Sequence, residues 1–379
     1  MIPYATPLFF GVVGYAAVPL LLLGLRGRLR GTAILVVSLA LTALQLGWNG
    51  ELASGVGGLA LQLAVVVAYP ALRRRAVRGA HWGAIALVLL PLVVTRLTGV
   101  TSLTSPFGFL GISYVTFRAL DVVFGIKDGN IKEIDSAALV AYLLFFPTLS
   151  SGPIDRYRRF AADFRRTLTR DAYVDLLESA VPLLIRGMLY KFVLAALVKE
   201  QLLDRLNDRG DLLGVGGYMY AYTAFLFLDF AGYSAMAVAL SRLFGISTPQ
   251  NFDRPFVATN IVEFWNRWHM SLSTWFRDHV YMRIVLAAKR GKWFSDRHLP
   301  SYLALTVSFG LMGVWHGWAW HFVVYGIYHA LLQIGHSLFT RWNATHRVWG
   351  EGPGWRFLGR FLTTHAFCFG LLLFSGRLF

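Results

Sequence analysis

The sequence predicts an all-α, polytopic membrane protein: a bundle of roughly ten or eleven spanning helices with additional re-entrant or interfacial helices. Of its 379 residues, 56% are hydrophobic and only 15% are charged, whereas about 25% are charged in an ordinary soluble domain. The apolar residues form long runs, and the basic residues gather in short loops between them. Because one soluble core cannot hold this many apolar side chains, we expect lipid to surround the protein.

Four apolar runs open the chain, each long enough to cross a bilayer. They cover residues 7–25, 31–48, 55–72 and 81–100. Arginines follow the first and third runs, at Arg26, Arg28, Arg30, Arg73, Arg74, Arg75 and Arg78. The loop between the second and third runs has no basic residue. Since basic loops favour the cytoplasmic side, we expect a multi-pass protein of the cytoplasmic membrane with its N-terminus outside.

The next segments are irregular. Residues 104–129 mix Gly, Ser, Pro and charged residues with apolar ones, and the run at 138–154 is broken by Pro147, Gly152 and Pro153. Such backbone is tolerated at membrane depth only where protein or a cavity surrounds it. These segments therefore indicate that the chain builds a site here.

The rest of the chain also alternates between apolar runs and stretches rich in charged residues. Six arginines between 155 and 170 indicate a cytoplasmic loop, and residues 251–296 are dense in aromatic and charged residues, which favours re-entrant or interfacial helices. The remaining apolar runs cover 173–198, 215–244, 300–317, 319–338 and 357–376. With no internal repeat and no soluble linker, residues 1–379 are expected to form a single membrane-embedded domain.

Composition and missing motifs argue against several classes of protein. The one cysteine, Cys368, lies in an apolar run and cannot form an intramolecular disulfide. The sequence has no G-x-S-x-G, H-E-x-x-H or Walker A motif, which argues against a hydrolase elbow, a zincin and an ATP-driven pump. The net charge of +16 fits positive-inside loops, a docking face for an acidic partner, or both, and it does not indicate nucleic acid.

Ionisable residues inside apolar runs are the candidates for chemistry, because they are costly in lipid. His316, in Trp315-His316-Gly317, lies at the break between two runs, and His269 lies in Trp268-His269-Met270-Ser271. A histidine can accept a proton from a hydroxyl near neutral pH. The alternative for each is a hydrogen-bonded packing histidine.

Other ionisable residues have structural interpretations at least as good. His321, His329 and His336 are spaced by 8 and 7 residues and can share a helix face, which leaves a metal or haem site open, although no carboxylate or cysteine accompanies them. Asp229 is expected to pair with an arginine or to accept from hydroxyls. Arg118 and Asp121 are expected to form a local pair.

The chain resembles the membrane-bound O-acyltransferase superfamily, and within it the branch that transfers D-alanyl groups. The segments that carry this resemblance keep their order over nearly the whole length, at residues 6–10, 111–118, 145–157, 229–234, 251–256, 263–282, 315–317, 325–329 and 374–376. The basic stretch 281–293 favours the D-alanyl branch over the alginate-type O-acetyltransferases, which share several of the motifs. Asp278-His279 departs mildly from the Asp-Tyr usual at that place.

The resemblance implies a helical bundle around a central funnel or tunnel. It also implies that His316 is catalytic, with His269 as its partner. Supporting or tunnel residues would be Asp229, Trp315, Asn266, Arg267, Ser271 and His329. An acidic cytoplasmic carrier protein would present D-alanine as a thioester on a 4'-phosphopantetheine arm, and a hydroxyl would attack it directly, with no metal and no cofactor bound to this chain.

The resemblance also implies partners. The acceptor would be teichoic acid or a related envelope polymer, reached through an outer-face acyl-relay protein and a small membrane peptide. The candidates for carrier docking are Arg283, Val285, Leu286, Lys289, Arg290 and Lys292, against the alternative of ordinary positive-inside charge. Two other functions stay open: an O-acetyltransferase of an exported polysaccharide, and a transporter or flippase.

Overall fold

The computed structural model describes residues 2–99 and 104–379, and the regular structure in this part of the chain is helical. The helices of the N-terminal half are α1 (Pro7–Leu25), α2 (Gly31–Trp48), α3 (Leu52–Arg74), α4 (Ala80–Thr98), α5 (Ile112–Lys127), α6 (Ser136–Leu143) and α7 (Tyr157–Arg165). A 3₁₀ turn covers Phe146–Thr148. The predicted run 81–100 thus forms α4, and its residue 100 lies outside the described residues.

The C-terminal half begins with two long helices. They are α8 (Arg170–Leu206), which includes the π-helical turns Leu189–Ala195 and Lys199–Leu203, and α9 (Leu212–Leu243). Three short helices follow, α10 (Ile261–Trp265), α11 (Met270–Phe276) and α12 (Met282–Arg290). The last three helices are α13 (Leu299–His316), α14 (Trp320–His346) and α15 (Pro353–Phe374).

Among the described residues, eight helices are long and apolar enough to cross a membrane. They are α1, α2, α3, α4, α8, α9, α14 and α15, fewer than the ten or eleven that we predicted. The run at 138–154 forms only the short α6 and a 3₁₀ turn, and α13, in the run at 300–317, is not among the eight. The predicted interfacial stretch 251–296 holds α10 and a continuous helical stretch in which the π-helical turn Arg277–Tyr281 joins α11 to α12.

The chain forms two compact units, whose boundaries fall within α8, within α9 and in the segment that follows α9. The first contains the residues up to Gly187 together with Tyr233–Pro249. The second contains Met188–Gly232 and Gln250–Phe379. The single domain expected from the sequence stays a prediction.

The first unit buries Arg118, which is 1% exposed. Its guanidinium donates to the carbonyl oxygens of Tyr142 and Leu143, at 3.1 and 2.9 Å, and to that of Thr148 at 2.6 Å. The first two carbonyls belong to the last turn of α6, where they have no partner within the helix. The expected local pair with Asp121 is therefore wrong, because Arg118 holds the end of α6 instead.

Asp121 has other partners in the same unit. Its carboxylate accepts from the Arg156 guanidinium at 2.9 Å and from the backbone N–H of Tyr157 at 2.9 Å. The Tyr142 hydroxyl donates to it at 3.3 Å. These bonds fix the start of α7 against α5.

In the second unit, α13 and α14 pack as a close antiparallel hairpin. Gly313 lies against the backbone carbonyl of Phe322, and Gly326 lies against that of Phe309. A Cβ atom at either glycine would overlap the facing carbonyl oxygen, so both helices need glycine at these points. This close approach fixes the C-terminal end of α13, where His316 lies.

Candidate active site

His316 is the last residue of α13 and is half-buried. The helix ends because Gly317 and Ala319 are extended before α14 begins. The imidazole ring lies among aromatic rings, with the Phe374 centroid at 4.9 Å and those of Phe322 and Tyr325 at 6.2 Å each. A helix C-terminus carries partial negative charge, which favours a cation formed beside it.

His269 lies between α10 and α11, and its backbone is left-handed, with φ of 44°. Hydrogen bonds to Asn251 hold the turn at His269 in place. The Met270 N–H donates to the Asn251 carbonyl at 2.9 Å, and the Ser271 hydroxyl donates to the Asn251 side-chain oxygen at 2.6 Å. The ring packs edge-on against Phe230 at 4.7 Å. Its side chain is 5% exposed, and its Nε2 has no hydrogen-bond partner among the described residues.

The two histidines are close enough to interact electrostatically. His269 lies outside the eight candidate spans, and burial lowers its pKa to about 3, with a further contribution from His316 in the same direction. Burial disfavours the charged imidazolium, so His269 is neutral at physiological pH. A neutral imidazole can accept or donate a hydrogen bond, which is what a positioning partner of His316 needs.

The other predicted supporting residues have different environments. The Trp315 ring lies 4.6 Å from that of His316 with the two planes tilted, and Ser271 fixes the turn at His269 as described above. Arg267 bonds to Glu263 and Asp253, each at 3.1 Å. Asn266 is exposed toward a cavity, described below.

Asp229 pairs with Lys191, which lies in the π-helical turn of α8. The sequence analysis expected an arginine or hydroxyl partner, and that expectation was wrong because it overlooked a lysine inside an apolar run. The pair explains how a carboxylate is accommodated in the middle of α9. The side chains of Asp229 and Lys191 keep 37% and 16% of their surface exposed.

His329 is fully buried in an aromatic cage. Its Nδ1 accepts from the Trp265 indole N–H at 3.3 Å, and Nε2 lies against Gly370 without a hydrogen-bond partner among the described residues. His321, in contrast, bonds to the backbone: its Nδ1–H donates to the Phe374 carbonyl at 2.8 Å. Within the described ranges, no group of three or more His, Cys, Asp or Glu side chains could hold a metal ion.

A cavity of about 680 Å³ opens beside this region, within the second unit. One wall is formed by His298, just before α13, and by a stripe of α13 that contains Ser301, Tyr302, Leu305, Ser308, Phe309 and Met312. The other walls are Gln333 and Ser337 of α14 and a set that includes Trp265, Asn266, Met270, Ser273, Arg277 and Tyr281. Met312 lies one helical turn before His316.

Of the polar residues of this cavity, Asn266 was named from the sequence, whereas those of α13 and α14 were not. Ser301, Ser308 and Gln333 lie within apolar runs, and the two serines are spaced by seven residues, about two helical turns. That spacing puts both on one face of α13, which a helical-wheel count would have shown.

The proposed docking residues lie on and after α12. Leu286 is 44% exposed, and Lys289, Arg290 and Lys292 are also exposed. Val285 is buried, with 6% of its surface exposed, so it packs inward and is not part of a docking surface. Arg283 is half-buried and has a partner within the chain.

Known proteins resemble this chain over most or all of its length. Residues 81–353 match the MBOAT, membrane-bound O-acyltransferase family, and the chain belongs to that family. It is 38% identical to the teichoic acid D-alanyltransferase of Bacillus subtilis, over 100% of this chain and 99% of that protein. It is 37% identical to the enzyme of the same name from Streptococcus thermophilus, over 99% of this chain and 95% of that protein.

Similarity to the acetyl-transferring branch is more limited. The chain is 34% identical to the probable alginate O-acetylase AlgI of Pseudomonas aeruginosa, over 63% of this chain and 44% of that protein. The full-length similarity therefore lies with the D-alanyltransferases.

Proposed function

We propose that this protein transfers D-alanine from a carrier-protein thioester to a hydroxyl acceptor in the D-alanylation of teichoic acid. The observation that carries the proposal is the similarity to teichoic acid D-alanyltransferases over essentially their whole length. The two histidines support the proposal, because His269 adjoins the cavity-lining Met270 and His316 lies one helical turn beyond the cavity-lining Met312.

The cavity suits a linear donor arm. It follows α13 from Ser301 to Met312, which is about 17 Å at the rise of an α-helix. His298, which precedes α13 at the end away from His316, and Arg277 both line the cavity and can meet the phosphate of a phosphopantetheine arm. The thioester would then reach the inner end, one turn from His316.

The reaction that we propose is a direct acyl transfer. His316 accepts the proton of the acceptor hydroxyl, whose oxygen attacks the thioester carbonyl carbon. The new ester C–O bond forms, the C–S bond breaks, and the proton on His316 passes to the departing sulfur. His269 orients the donor or stabilises the charge that develops on the carbonyl oxygen. The aromatic walls exclude water, which would otherwise hydrolyse the thioester.

The partners follow from this chemistry. An acidic carrier protein docks on the cytoplasmic side, where Leu286 offers an apolar contact and Lys289, Arg290 and Lys292 attract its charge. The positive-inside rule, applied to the basic loops, supports an N-terminus on the outer side. The acyl group leaves on the outer face, to an acyl-relay protein, a small membrane peptide and the polymer. The donor arm belongs to the carrier, and this chain needs no cofactor of its own.

The test is donor selection. The purified protein is reconstituted in lipid with envelope acceptor and with carrier protein bearing labelled D-alanine or labelled acetate. We expect D-alanine to move from carrier to acceptor much faster than acetate. Equal or faster acetyl transfer would overturn the proposal and favour O-acetylation, the alternative that the partial similarity to alginate O-acetylases supports.

A further inference from the structure

Two polar side chains face the cavity midway along its length without a partner. Ser308 of α13 is 5% exposed, and its hydroxyl makes no hydrogen bond to the described residues. Gln333 of α14 is 8% exposed, and its side-chain amide makes no hydrogen bond within the described part of the chain. Both line the cavity. Buried polar groups without a partner are costly, so a ligand that satisfies them gains binding energy.

Ser308 differs from other helical hydroxyl residues, whose side chains donate to a carbonyl of their own helix. Thr274, Thr306 and Thr340 all donate to the carbonyl four residues earlier in their helices, at 2.6 to 3.0 Å. This is the common way for a helical hydroxyl to be satisfied. The Ser308 hydroxyl does not take this bond, which leaves both its donor and its acceptor for the cavity.

The contacts of Gly313 with Phe322 and of Gly326 with Phe309 set an antiparallel register in which Gln333 stands opposite Tyr302, six residues or about 9 Å along the helix from Ser308. Helical side chains tilt toward the N-terminus of their own helix, so the Gln333 amide and the Ser308 hydroxyl lean toward each other between these two levels. Ser308 precedes His316 by eight residues, which is about 12 Å along the helix. The pair therefore lies well away from the reacting bond.

The chemistry of the pair specifies the group that it would bind. A secondary amide has one N–H donor and one carbonyl acceptor, and a Gln amide and a Ser hydroxyl together offer the complementary acceptor and donor. Leu305, Phe309 and Met312 make the surroundings apolar. An amide fits such a site, whereas a purely apolar chain would leave both side chains unsatisfied.

We propose that Ser308 and Gln333 bind a secondary amide of the acyl-donor arm and so determine which thioesters the enzyme accepts. This inference rests on the proposed function, because it takes the cavity as the site of the arm. It assigns the pair a role in donor specificity that is separate from the proton transfer at His316.

The test is a comparison of three small donors. D-alanyl thioesters of pantetheine, N-acetylcysteamine and ethanethiol carry two, one and no amide groups. For the wild type, kcat/KM should fall by about 10- to 100-fold at one step of this series, the step that removes the bound amide. In Ser308→Ala and Gln333→Met this fall in kcat/KM should largely disappear, mainly because KM for the amide-bearing donor rises. Thr306→Ala, an exposed site on α13, is the control and should keep it.

Two outcomes would overturn the inference. One is that Ser308→Ala and Gln333→Met show the same fall in kcat/KM across the three donors as the wild type. The other is a variant that loses activity equally toward all three donors, which would indicate a structural role. The series is repeated with acetyl thioesters of the same thiols. If the enzyme uses only those, the proposed D-alanyl transfer fails while the amide step is still measured.

Discussion

At the scale of single residues, His269 combines a left-handed backbone with a buried neutral imidazole. Left-handed backbone is uncommon for residues other than glycine, and here the hydrogen bonds from Met270 and Ser271 to Asn251 stabilise it. A residue held in this way is a suitable partner for a catalytic group, since its ring position does not depend on its own side-chain bonds.

The lowered pKa of His269 predicts a dependence of stability on pH. The folded state has a pKa of about 3 and the unfolded state one near 6.5, so the unfolded chain binds more protons between these values. Stability should therefore decrease as pH falls below 6.5. In His269→Gln this part of the acid destabilisation should be absent. Thermal unfolding in detergent at several pH values from 7 to 5 measures it, and parallel curves for the two proteins would contradict the assignment.

At the scale of elements, the α13–α14 hairpin depends on its glycines. Gly326→Ala places a methyl group against the Phe309 carbonyl and should destabilise the protein by about 1–3 kcal/mol, with loss of activity because His316 shifts. Gly335→Ala is the matched control on the same helix, since its added methyl group meets open space. Thermal unfolding and transfer rate are compared. Equal stability of the two variants would show that the close approach is not needed.

The helix α12 and the residues after it should govern carrier binding. Lys289→Glu with Arg290→Glu should weaken binding of the acidic carrier at low salt by about tenfold or more, and the difference should shrink as salt rises. Arg74→Glu with Arg75→Glu is the control, with the same change of charge in another exposed loop. If both double variants bind equally weakly, net charge alone attracts the carrier and α12 is not the docking site.

At the scale of the whole molecule, the sequence was sufficient for the class of fold, whereas the catalytic roles of His316 and His269 stay predictions. Long apolar runs and basic loops predict membrane helices directly, and His316 and His269 stand out because charged groups are costly in such runs. The number of spans was predicted less well. Apolar length does not separate a full span from a shorter run such as 138–154, which forms only α6 and a 3₁₀ turn.

The ion-pair partners of the carboxylates could not be predicted from the sequence. The partners of Asp229 and Asp121 lie 38 and 35 residues away along the chain, at Lys191 and Arg156, so local spacing gave no sign of them. The inward direction of Val285 depends on how α12 packs. The polar stripe of α13 was visible in the sequence, but only the cavity shows which residues it faces.

The most direct test of the account is the rate of D-alanine loss from labelled carrier in a single turnover, for wild type and His316→Ala in lipid. His346→Ala, an exposed histidine at the end of α14, is the matched control. We predict that His316→Ala transfers about 10²–10⁴-fold more slowly, with unchanged thermal unfolding, and that the control transfers like wild type. Equal transfer by His316→Ala and wild type would show that another group takes the proton and would contradict the mechanism.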